Sequence, residues 1–103
     1  ESLYFANASY IEDHIYELLE KKPTVKHVIL MCTAVNEIDL SALEVLESIN
    51  QRLEEASILL HLSEVKGPVM DLLDKTHFIT DLSGKVWLSQ HRAEQDILQE
   101  SDR

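Results

Sequence analysis

Basic residues are scarce in this chain: 9 lysines and arginines stand against 19 aspartates and glutamates, a formal net charge of −10 over 103 residues. Such a surface repels phosphate backbones and anionic headgroups, which excludes nucleic acid and argues against direct lipid binding, while a basic protein partner stays compatible. No run of about 18 apolar residues occurs, so this stretch is expected to be soluble. Cysteine appears once, as Cys32 inside an apolar segment, so no internal disulfide forms and the thiol is expected to pack rather than react. Glycine and proline occur twice each, with no flexible linker, and Lys66-Gly67-Pro68 lacks the glycine spacing and the terminal Lys-Ser/Thr of a phosphate-binding loop. The five histidines, His14, His27, His61, His77 and His91, show neither a His-x-His nor a His-Glu-x-x-His spacing. They read as scattered surface or strand-end residues, and no metal or other cofactor is expected. Ser41 has an aspartate nearby but no histidine or lysine to activate it, so an enzyme is not expected either.

What the chain does have is 45% apolar residues, enough for one small core, arranged with the two periods of helix and strand. Leu3-Tyr4-Phe5 reads as the end of a strand, and Ser9-Tyr10-Ile11-Glu12 has the form of a capping box that starts a helix running to about residue 21. Ile11, Ile15, Leu18 and Leu19 form its inward stripe, and Pro23 ends it. A strand over residues 26–32 follows, then a loop over 33–39 and a second helix to about residue 55 with Leu43, Leu46, Ile49 and Leu53 inward. Residues 57–63 form another apolar strand, and Pro68 opens a third helix carrying Val69, Leu72 and Leu73. Phe78, Ile79 and Leu82 lie in a connection to which the pattern assigns no form, and Gly84 marks a turn before a last strand, Val86-Trp87-Leu88. Ser89 then caps a final helix, and residues 99–103 are expected to fray. Strands alternating with helices predict an α/β domain, a single layered unit with a mostly parallel central sheet of about four strands and helices packed against it.

The most informative run is VKHVILMCTAVNEIDLSALEVL, residues 25–46. Its strand does not alternate, so both faces are expected to be covered, and the loop that follows is where function is expected to sit. Asp39 and Ser41 fall at the start of the second helix. Ser41-Ala42-Leu43-Glu44 has the capping-box form, and Asp39 offers a cap slightly earlier. A helix cap is the favoured local role of Ser41, and the loop over residues 36–40 is the expected contact surface.

The pattern of an apolar strand, a short loop and Ile-Asp-x-Ser-small-Leu-x-x-Leu resembles the signature of STAS domains, which occur in sulfate permease (SulP) anion transporters and in anti-sigma factor antagonists. Leu3-Tyr4-Phe5-Ala6-Asn7-Ala8, Val25-Lys26-His27-Val28-Ile29-Leu30 leading to Ile38-Asp39-x-Ser41, and Val65-Lys66-Gly67-Pro68-Val69 favour the transporter branch. The resemblance implies one STAS-like domain over residues 1–103, trimmed at its N-terminus: a cytoplasmic, non-catalytic regulatory domain at the inner face of the membrane. It would contact the membrane domain of the same transporter, and a cytoplasmic protein partner, through Asn36, Glu37, Asp39, Leu40, Ser41 and Glu44. Ser41 occupies the position that is a phosphorylated serine in the antagonist branch. There the motif reads Asp-Ser-Ser-Gly, whereas this chain has Asp39-Leu40-Ser41-Ala42. The alternative is a free-standing anti-sigma factor antagonist controlled by serine phosphorylation.

Overall fold

A computed structural model describes residues 2–101. Its elements run β1 (Ser2–Leu3), α1 (Phe5–Lys21), β2 (His27–Met31), β3 (Glu37–Ile38), α2 (Leu40–Glu55), β4 (Leu59–Ser63), α3 (Gly67–Asp74), α4 (Phe78–Asp81), β5 (Val86–Trp87) and α5 (Gln90–Ser101). All strand pairs are parallel, as the alternation of strand and helix requires. They divide, however, into two sheets. β4 is the middle of a three-stranded sheet in the order β2-β4-β5, and β1 pairs separately with β3 inside what the sequence presents as a loop.

The first helix begins at Phe5, four residues before the capping box suggested by Ser9, and its N-cap is Tyr4 with no side-chain cap. Burial explains the difference. Ala8 is wholly buried one turn ahead of Ile11 and two ahead of Ile15, so the apolar stripe continues upstream and tertiary packing extends the helix past a serviceable cap. Leu18 falls outside the stripe and is exposed. The stripe of α2 is as expected, with Leu43, Leu46, Ile49 and Leu53 buried, and α1 packs against it.

β2 departs from the expectation of two covered faces. It stands at the edge of its sheet: Val28 and Leu30 pack on the core, Ile29 is half-buried and Met31 is exposed. The truly central strand is β4. Alternation sends Leu60 and Leu62 into the core on the side of α2, and His61 and Ser63 to the opposite face, where the Ser63 hydroxyl donates to Gln90 Oε1 of α5 at 2.5 Å. The connection without assigned form is α4, whose Phe78 is among the most deeply buried side chains. Ser89 caps α5 as expected, its hydroxyl accepting the Arg92 N–H at 3.1 Å. α5 stays helical through Ser101, past the point where fraying was expected, and Asp102 and Arg103 lie outside the described residues.

Candidate interaction site

After β2 the chain turns, with the Val35 N–H donating to Cys32 O, and enters β3. β3 is held by β1 through the register Leu3↔Ile38, and the Asp39 N–H donates to Leu3 O at 3.1 Å. The start of α2 is thereby fixed by a parallel ladder rather than left to a free loop. Asp39 has the extended backbone of an N-cap, φ −83° and ψ 166°, and its Oδ1 accepts the Ala42 N–H at 2.6 Å. The cap is therefore Asp39, which corrects the expectation that Ser41 fills that role. Ser41 is already the second helical residue, two positions past the N-cap and too late for its hydroxyl to cap the first turn.

Around this cap lie the other residues of the expected surface. Leu40 is 71% exposed, an apolar side chain held in solvent at the first helical position, and Asn36, Glu37, Ser41 and Glu44 are exposed beside it in sequence, while Asp39 is half-buried. Lys66, in the loop after β4, donates from Nζ to Asn36 Oδ1 and ties the two loops at the C-terminal end of the sheet. No local pattern points to this link, since 30 residues separate the partners. The surface offers acidic side chains, one exposed leucine and a hydroxyl near a helix N-terminus. A phosphate on Ser41 would meet the positive end of the α2 dipole.

Expected outcomes follow for the cap. Asp39→Ala should cost about 1 kcal/mol in urea denaturation, whereas Ser41→Ala should stay within about 0.5 kcal/mol of the parent. The reverse ranking would return the cap to Ser41.

Elsewhere, Cys32 is buried and desolvation pushes its thiol up to about 11, so at neutral pH it is an inert thiol. Among the described residues no three His, Cys, Asp or Glu side chains group to hold a metal. One feature corrects the reading of scattered histidines. His27 Nδ1 and His61 Nε2 are 3.0 Å apart, although His14, His77 and His91 are exposed. His61, 3% exposed, also stacks at a tilt on Trp87 with ring centroids 4.9 Å apart. The two meet because the parallel pairing of β2 and β4 sets His27 opposite Leu59 and Ile29 opposite His61, a register that neither strand carries by itself.

A family model described as the STAS domain matches residues 1–94. The chain belongs to the STAS family. In sequence, this STAS domain is 30% identical over 95 residues to sulfate transporter 3.1 of Arabidopsis thaliana and 36% identical over 89 residues to the probable sulfate transporter 3.4 of the same plant, covering 84% and 78% of the chain. It spans only 14% of the length of each. In structure it superposes on a Thermotoga maritima protein described as an anti-sigma factor antagonist with a TM-score of 0.76, at 19% identity, covering 92% of this chain and 79% of that one. The murine Solute Carrier 26 family member A9 anion transporter, inward-facing, gives 0.73 at 19% identity, covering all of this chain and 17% of the transporter. These last two likenesses establish the fold. Among the described residues of the STAS domain, no helix is long and apolar enough to cross a membrane.

Proposed function

We propose that this STAS domain is the cytoplasmic, non-catalytic regulatory domain of a sulfate-type anion transporter, acting by contacts made through the loop and helix that begin at Asn36. The observation that carries the reading is the sequence likeness to sulfate transporters, which covers 84% of this chain but 14% of the relative, the proportion of one domain within a much larger protein. The exposed Leu40 supports the choice of surface: an apolar anchor beside Glu37 and Glu44 suits a partner with a basic rim and an apolar socket. The membrane domain of the same transporter is the first candidate and a cytoplasmic protein the second. Docking there would favour one transport conformation over another through differential contacts.

Leu40→Asp and Ser41→Asp test the proposal in the full-length protein encoded with this domain. Both change an exposed position and leave the fold intact, so each should alter radiolabelled sulfate uptake at least several-fold with the domain's denaturation midpoint unchanged. Uptake equal to the parent in both would overturn the surface. An absence of anion transport by the full-length protein, together with phosphate incorporation at Ser41 by a partner kinase, would favour the free-standing antagonist instead.

A further inference from the structure

The hydrogen-bond geometry around His61 dictates the protonation of two rings. The backbone N–H of Lys85 points at His61 Nδ1 from 2.9 Å, so that nitrogen must accept. A neutral imidazole has one N–H, which therefore sits on Nε2 and donates to His27 Nδ1 at 3.0 Å. His27 in turn must keep Nδ1 bare and hold its own proton on Nε2. All of these bonds exist together only while both rings are neutral. A proton added to His61 lands on Nδ1 and faces the Lys85 N–H donor to donor; a proton added to His27 lands on Nδ1 and faces the His61 N–H in the same way.

Much of one flank of the domain depends on this chain of bonds. Gly84 lies so close over the ring that a Cβ there would stand 2.3 Å from His61 Nδ1 and 2.3 Å from Leu60 O. Lys85 leads directly into β5, whose Trp87 packs on the His61 ring and donates from Nε1 to Asp96 Oδ2 of α5 at 2.8 Å. Two protons facing each other at His61 would push this turn from β4, and with it the seat of α5. We propose that His27, His61 and the Lys85 amide form a proton-operated latch that holds the Gly84 turn, β5 and α5 on the sheet while both imidazoles are neutral, and releases them in acid.

The charged surroundings agree in sign. Burial and then the neighbouring His27 push His61 down to about 4; Lys85 adds to the depression, and Glu100 on α5 opposes it. Lys85 Nζ and Glu100 Oε1 lie 3.9 Å apart and largely offset one another. Asp96 is engaged by Trp87 and Arg92. Lys21 and Lys22 line an apolar groove of about 340 Å³ that reaches His27 from the side of α1. A histidine depressed on folding stabilises the folded state fully above its unfolded value of about 6.5, and that stabilisation drains away as the pH falls toward the folded value. Between pH 7 and pH 5 the folding equilibrium constant should therefore fall roughly 20-fold through His61 alone.

Nitrogen-15 imidazole spectra of the unmodified domain at pH 7 should show His61 protonated at Nε2 and bare at Nδ1, and His27 bare at Nδ1. The protection factor of the Lys85 amide should collapse between pH 7 and pH 5, ahead of amides in α1. His61→Asn places a carboxamide oxygen near the Nδ1 position, where it accepts the Lys85 N–H without titrating, and should remove most of this loss. A proton found on His61 Nδ1 at pH 7 overturns the latch, and so does a loss of Lys85 protection that is as steep in His61→Asn as in the parent. Should His61→Asn fail to fold, the spectra decide.

Discussion

Gly84→Ala should destabilise the domain by about 2–5 kcal/mol, a large part of the roughly 5–15 kcal/mol available to a domain of this size. Its φ is not positive, so the cause is space rather than conformation. The added methyl would overlap the carbonyl oxygen of Leu60, a backbone atom that cannot rotate away, and the buried ring of His61. Relief requires the turn to lift, which breaks the Gly84 N–H bond to Leu60 O and the Lys85 N–H bond to His61 and leaves buried groups unpaired. Gly67→Ala is the internal control. Apart from its chain neighbours and its own helix backbone, no atom lies within 4 Å of its Cβ position at the first turn of α3, so the only cost is the restriction that Pro68 places on the residue before it, and the loss should stay within about 1 kcal/mol. Guanidinium denaturation of both variants checks this, and a Gly84→Ala midpoint within about 0.5 kcal/mol of the parent would show that the turn is not packed as described.

Phe78→Ala should cost about 3–5 kcal/mol. Its ring is 1% exposed and belongs to the single core cluster with Leu46, Leu53 and Leu73. The site cannot easily collapse into the space left behind, because α4 is pinned at both ends. Thr76 Oγ1 accepts the Phe78 N–H at 3.1 Å, and Asn50 of α2 clamps the far end, donating from Nδ2 to Asp81 O and accepting from the Ser83 N–H and hydroxyl. Leu72→Ala, at a 40%-exposed position on α3, should cost less than about 1 kcal/mol and calibrates the measurement. Equal losses in the two would mean that the core does not reach α4.

Asn50 also shows why the short helix could not be read from its own residues. Four residues make too few turns for a helical period to emerge, and the polar side chain that secures them sits about 30 positions away on α2. The same limit hid the link from Lys66 to Asn36 and the meeting of His27 with His61. By contrast α2 was legible almost to the residue, since 16 positions carry a repeated apolar stripe with polar residues between.

Local pattern thus determined the class of the fold, the long helices, the cap of α5 by Ser89 and the place of the exposed loop before α2, because each depends on side chains within a few residues of one another. Tertiary structure decided what depends on chain segments meeting. It started α1 at Phe5, because Ala8 could be buried. It moved the cap of α2 from Ser41 to Asp39, because β1 holds β3 and so sets where the helix begins. It made β4 rather than β2 the centre of the sheet, and it turned two of five unremarkable histidines into a bonded pair, because register between strands is a property of their pairing and is written in neither strand alone.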